Sequence, residues 1–329
     1  AATRFVIAER GNLGFKAKFL IELGEENGSL GLRELLEANR DDFAADVFIG
    51  SDGPRMSPDT PTLTLGARGA ENFDLIVNLR EGGHHSGNWG GLIADPATIL
   101  AHAIASIVGP TGQIKIKDWL PPPTPASVKQ VLQSLKIEAG PGAPEIDPDW
   151  GEPGMTPAEK VYSWNSFAVL AMKSGNPESP VNAISPWARA HCQLRYFAGT
   201  NADNILPALR KHLDDNGFGM VEIGPPPPEN AAGFSASRTE PDHPWVASIR
   251  QSMERTLGAP PAVIPSMGGS ICNDLFTDLL GLPAIWIPHS YAACSQHAPD
   301  EHILMSVTRS ALPIMAGLYW DIGDGKVPQ

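Results

Sequence analysis

The chain has 329 residues, of which 42% are hydrophobic, enough for about two domains with a sizeable buried core. Its 24 basic against 37 acidic residues, a net charge of −13, disfavour nucleic acid and anionic membranes as partners, since both call for a concentrated basic surface. Three cysteines, Cys192, Cys272 and Cys294, are too few and too widely spaced for a disulfide framework or a CxxC zinc site, and a reducing cytoplasm suits them. No apolar run approaches the roughly 18 residues of a membrane span, and the first residues lack the parts of a signal peptide.

"AATRFVIAERG" reads as an amphipathic helix already under way at Ala1, so the chain is expected to begin inside a domain. "FKAKFLIEL" then reads as a strand, "SLGLRELLEANRDDF" as a helix with Ser29 or Gly28 near its N-cap, and "ADVFIG" as a second strand. That order is a βαβ unit, whose strands are expected to be parallel and whose carboxyl ends form the usual ligand rim of an open α/β sheet. Glu25, Glu26 and Asp52 fall on that rim. Late in the chain a helix after "PDHP" and the short apolar strand of "LPAIWIPHS" form a similar unit, leading towards His289 and His297.

The middle has another rhythm. "PTLTLGARG", "NFDLIVNLR", "ARAHCQLRYF" and "FGMVEIG" read as strands, while "PATILAHAIASIVG" and "NADNILPALRKHLDDNG" read as helices. This mixture predicts a small α+β layer with helices on one face of an antiparallel sheet. The expected division is 1–61 and 231–329 for a discontinuous α/β catalytic domain and 62–230 for an inserted α+β domain. Proline clusters at "LPPPTP" and "GPPPPEN" mark an internal loop and the exit from the insertion.

Each candidate site residue has a plain structural reading. Two acids at a helix start answer the helix dipole, Asp52 suits the turn of "SDGP", the His84–His85 pair lies in a glycine-rich loop, His297 could cap a helix, and Arg195 could be solvated. Together they offer more. Glu26, Asp52 and His297 are oxygen and nitrogen donors suited to zinc, and Glu25 beside a ligand is placed to act on a metal-bound water.

In order along the chain stand "GEENGS", "SDG", "GARG", "HHSGNWGG", "VNAISPWARAHCQLR", "GGSI" and "HAPDEH". With these segments the sequence resembles the zinc aminoacylase and exopeptidase family, peptidase family M20, over nearly its whole length. The resemblance implies an α/β zinc-exopeptidase-like catalytic domain with an inserted ferredoxin-like lid and dimerisation domain. It makes Glu25 the general base and gives Glu26, Asp52 and His297 to metal. His85 corresponds to a lid histidine that reaches the partner subunit's site. Asn182 and Arg195 correspond to lid residues holding the tetrahedral centre and the substrate carboxylate, and Gly268, Gly269 and Ser270 to a substrate loop. The implied cofactor is two Zn2+ per chain, with Co2+ or Mn2+ as alternatives. The implied substrate is a small peptide or N-acyl amino acid, cleaved at an amide bond by a homodimer. The family's first histidine ligand, in an HxD motif, and its bridging aspartate are expected to precede Ala1, which makes the chain as given an expected truncated and inactive form. The alternative is a non-catalytic, dimer-forming binding protein on the same fold.

Overall fold

The structure is a computed structural model and describes residues 1–137, 144–226, 234–291, 293–296 and 298–328. In chain order, the strands that place the site are β1 (Phe48–Gly50), β2 (Thr62–Thr64), β3 (Gly69–Asn78), β4 (His84–His85), β5 (Ser166–Lys173), β6 (Ala183–Ile184), β7 (Trp187–Tyr196), β8 (Glu222–Gly224), β9 (Ala262–Ile264) and β10 (Ala284–Trp286). The helices are α1 (Ala2–Arg10), α2 (Leu32–Ala38), α3 (Pro96–Ile107), α4 (Ile205–Asp215), α5 (Pro244–Leu257) and α6 (Met305–Gly323).

One sheet has the order β8-β3-β7-β5 and is antiparallel throughout. Its strands obey the two-residue period that the sequence shows. Phe73, Leu75 and Val77 of β3, with Ala188, Ala190, Cys192 and Leu194 of β7, point to one face and are buried. Leu100, Ala103 and Ile107 of α3, Ile205, Leu209 and Leu213 of α4, and Trp119 complete that core. α3 starts where its sequence says it should, with Pro96 in the first turn and the Asp95 side chain accepting from the Ala97 N–H at 3.1 Å. This is the expected lid layer.

The other sheet has the order β1-β10-β2-β9, with β1 parallel to β10 and β2 parallel to β9. α5 and α6 cover one face through Val246, Ile249, Met253, Ile314 and Leu318. Leu32 and Leu36 of α2 pack with Ile271, Phe276 and Trp286 in a separate cluster. Helices and sheet therefore form the α/β half. Because β2 pairs with β9 and β10, this sheet continues past residue 62, where the expected insertion begins.

The first βαβ unit differs from expectation. Residues 15–22 make no backbone hydrogen bond to any other backbone among the described residues, and no strand forms there. An alternating sequence needs a neighbouring strand to become a sheet element. Here β1 is the edge of its sheet, and a cavity of about 1370 Å3 lies between it and residues 15–22, lined also by Phe276, Trp286 and Tyr319. Phe19, Ile21 and Leu23 remain exposed. The following helix begins later than read: α2 follows Gly31, whose φ of 83° puts it in the left-handed region that glycine tolerates. Among the described residues no helix is long and apolar enough to cross a membrane.

Candidate active site

Glu25 and Glu26 sit in a single 3-10 turn, Glu25–Asn27, closed by Gly28 at φ 82°. Glu25 is half-buried and lines the large cavity, while Glu26 is exposed. Asp52 lies just past the carboxyl end of β1, on the same cavity, and its Oδ1 accepts from the Gly53 N–H at 2.6 Å. Asp52 thus follows a parallel strand end as expected, whereas Glu25 reaches the same cavity from a turn with no strand before it.

The glycine segment expected to form a substrate loop follows β9. After β9 the chain passes Gly268 and Gly269 to Ser270, whose Oγ accepts from Arg195 Nη1 at 3.0 Å. Two residues on, the thiol of Cys272 is buried and pushed up to about 12, first by burial, with Ser29 opposing through a hydrogen bond and Glu25 adding to the rise. One short segment therefore meets Arg195 at Ser270 and, two residues on, lines the same cavity as Glu25 at Cys272.

Arg195 is presented by the open face of the lid sheet. Its Nε donates to Gln193 Oε1 at 2.9 Å, and Gln193 Nε2 donates to Asn72 Oδ1 at 2.9 Å across the β3–β7 ladder. Farther along that face, the buried Asp74 accepts from His191 Nδ1 at 2.8 Å and is ion-paired with Arg189. Burial lowers the Arg195 pKa, so its charge is held at a desolvation cost.

His85 and Asn182 come from distant parts of the sequence and meet in a small ribbon. β4 pairs with β6 in the register His85↔Ala183, and the Ser86 N–H donates to the Asn182 carbonyl at 2.9 Å. Both side chains are exposed.

His297 lies outside the described residues. Among the described residues no group of three or more His, Cys, Asp or Glu could hold a metal ion. Glu26 and Asp52 alone do not fit a metal centre. An HxD triplet is present in the chain, at His212, Leu213 and Asp214, but it lies on α4 of the lid. There His212 Nε2 lies 3.0 Å from the Ser106 carbonyl, and Asp214 pairs with Arg210 one turn earlier, so both side chains are committed to the helix packing.

Sequence reading named Arg195 but passed over the residues that hold it. Gln193 and Asn72 stand on the polar side of alternating strands, a pattern visible in "HCQLR" and "ENFDL", yet their pairing depends on strand register.

No protein-family model matches the chain. The cysteinylglycine-S-conjugate dipeptidase of Corynebacterium striatum is 26% identical over 280 residues, 81% of this chain and 58% of that protein. The human Beta-Ala-His dipeptidase is 22% identical over 307 residues, 89% of this chain and 59% of that protein. The M20 family metallo-carboxypeptidase Sso-CP2 of Sulfolobus solfataricus matches with a TM-score of 0.72 at 21% identity, over 90% of this chain and 68% of that one. The chain is homologous to dipeptidases and has the M20 peptidase fold. Human carnosine dipeptidase 1, with a TM-score of 0.71 at 18% identity, matches over 98% of this chain and 71% of its own. Against the curated relatives this M20-fold chain spans a little under three fifths of their length, 58% and 59%.

Proposed function

We propose that the protein carrying this chain is a metal-dependent hydrolase that cleaves a small peptide, or an N-acyl amino acid, beside a free carboxylate. One observation carries the reading: the Arg195–Ser270 contact at 3.0 Å sets a half-buried guanidinium on the segment whose Cys272 lines the same cavity as Glu25. A planar guanidinium suits a carboxylate, and a carboxylate beside the cavity suits proton transfer from water. In this reading Arg195 and Ser270 hold the substrate carboxylate, and the N–H groups of Gly268 and Gly269 line its path. Glu25 takes a proton from the attacking water and returns it to the leaving amine. The exposed ribbon of His85 and Asn182 faces the developing oxyanion, with His85 serving the site of a second subunit.

The metal is part of the proposal. Relatives in three yeasts are named Cys-Gly metallodipeptidases, and a Bacillus subtilis structural neighbour is titled a dinuclear metal binding peptidase. Zn2+ is the proposed ion, with Glu26, Asp52 and His297 among its donors. The homodimer is proposed through the lid. There β5 is a sheet edge, with Val169, Leu170 and Met172 exposed by 39%, 53% and 49%. Such an edge invites a partner strand.

A second reading is a dimer-forming binding protein on the same fold without catalysis. Elemental analysis of the purified protein, together with release of free amine from a dipeptide panel, separates the two. For the hydrolase, Glu25→Gln is expected to keep the metal and the melting temperature while turnover falls roughly 100 to 10,000-fold. Undiminished turnover in that variant overturns the assignment. Mixing His85→Ala with Glu25→Gln subunits should restore activity in heterodimers, and confirmed exchange without activity removes the role of His85 across the interface.

A further inference from the structure

Arg68 lies where the chain leaves the outer sheet for the lid. The residue is 9% exposed, and its buried Nε has no hydrogen-bond partner. Its backbone N–H donates to the Gly269 carbonyl at 3.2 Å, which fixes it against the substrate loop, and its Nη1 donates to Ser166 Oγ at 3.1 Å. Ser166 is the cross-strand partner of Arg195 in the β5–β7 ladder. Arg68 therefore contacts the serine that stands opposite Arg195 in the ladder, while the Arg195 guanidinium reaches Ser270.

Neither arginine is ion-paired with a carboxylate among the described residues, although the chain as a whole is acidic by 13 charges. Burial pushes the pKa of Arg68 down to about 10, with Arg195 as the next cause and Tyr162 opposing. Two like charges in a half-buried place repel each other and are poorly solvated. Two buried carboxylates of the protein are paired, Asp74 with Arg189 and Asp321 with Arg255, and the buried Arg55 is satisfied instead by the Pro288 carbonyl and Ser310. An orphaned Nε beside two unpaired cations is a site shaped for an anion.

We propose that Arg68 and Arg195 form one subsite for the C-terminal residue of the peptide, and that this residue is acidic, its α-carboxylate on Arg195 and its side-chain carboxylate on Arg68. The assignment rests on the proposed peptide substrate and deepens it by naming the class: peptides ending in aspartate or glutamate. A single carboxylate balances one of the two cations, and an acidic residue balances both. The planar fork of Arg68 keeps one arm on Ser166 and leaves Nε free to donate.

The test is direct binding of free L-glutamate and of its neutral isostere L-glutamine, by calorimetry on the whole protein, with no turnover needed. Glutamate is expected to bind at least about tenfold more tightly, a difference of about 1.4 kcal/mol. Arg68→Gln, which can still meet Ser166, should bring glutamate to the level of glutamine and leave glutamine within about threefold of its original affinity. Arg68→Lys should retain a preference for glutamate. Arg195→Gln should weaken both ligands. Equal binding of the two ligands by the unaltered protein overturns the proposal whether or not any variant folds. So does an undiminished glutamate preference in Arg68→Gln. Binding of neither amino acid by a protein that still cleaves peptides removes the subsite and leaves the hydrolase standing. An Arg68-dependent glutamate preference in a protein that cleaves nothing keeps the subsite and removes the hydrolase.

Discussion

In the lid, β3 and β7 stay paired across ten residues, from Gly69↔Tyr196 to Asn78↔Trp187, and one continuous core lies behind them. In the outer half each strand of the sheet runs three residues, the core is split into two clusters, and residues 15–22 lie unpaired across a large cavity from the edge strand β1. The lid core is closed behind this long ladder, with β5 as its exposed edge. The outer half leaves an edge and a cavity at the place where Glu25 and Asp52 stand, so the candidate chemistry borders the less consolidated region and the candidate binding groups Arg195 and Arg68 stand on the more consolidated one.

Hydrogen exchange gives the widest contrast between them. Amides of β3 and β7 open only with the lid, at a cost approaching global stability, whereas amides of residues 15–22 have no backbone acceptor to leave. Exchange is expected to be slower in β3 and β7 by a factor on the order of 1,000 or more, since global stabilities of 5–15 kcal/mol correspond to at least that ratio. Comparable protection of residues 15–22, measured by mass spectrometry of the peptides, would break the comparison.

A core substitution in the lid should be the most damaging. Trp119 is fully buried, its indole N–H donates to the Ile205 carbonyl at 2.9 Å, and its ring lies 6.0 Å from Phe73 and 5.8 Å from Phe167. Trp119→Ala is expected to cost about 3–5 kcal/mol in urea unfolding. A loss under about 1 kcal/mol would mean that the lid core is not the single unit described.

The outer half is expected to give less. A Cβ at Gly50 would lie 2.2 Å from the ring of Trp286, and that ring is held by its N–H donating to Asn273 Oδ1 at 2.7 Å. Gly50→Ala must shift β1 or the ring, at about 1–3 kcal/mol. An unaltered unfolding midpoint would show that the edge strand moves freely.

These contrasts also explain what the sequence disclosed. "NFDLIVN" and "ARAHCQLRYF" alternate and find partners over their whole length, so the reading and the structure agree. "FKAKFLIEL" alternates just as clearly and forms no strand, because alternation specifies a face and says nothing about which strand lies alongside. The position of Asp52 past a parallel strand end follows from chain order and was legible, whereas Glu25 reaches the same cavity without the strand expected before it. Arg195 and Ser270 were each named only through resemblance to a family, and their contact exists only in the folded chain. The partnership of Arg68 with Arg195 was hidden, since it exists only once Ser166 and Arg195 are paired across two strands. His212, by contrast, shows how a motif-like triplet on a helix is absorbed by packing.

The last expected contrast concerns two thiols, one in each region. Cys192 faces the lid core from β7, and Cys272 follows the substrate loop in the outer half. Both are buried and both are pushed up to about 12, by burial first, with Asp74 adding to the rise at Cys192. In the unfolded chain a thiol ionises near 8.5. Below about pH 8 both states keep the proton and the thiols contribute no pH dependence. Above about pH 8.5 the unfolded state loses protons that the folded state retains, so stability must fall as pH rises towards 12. The loss reports both cysteines together, and alkylation tells them apart. At neutral pH under native conditions iodoacetamide reaches a buried thiol only when its region opens, so Cys272 should be modified faster than Cys192, read as labelled peptides by mass spectrometry. If Cys192 reacts as fast as Cys272, the lid opens as readily as the half it covers, and the difference in consolidation is confined to the geometry.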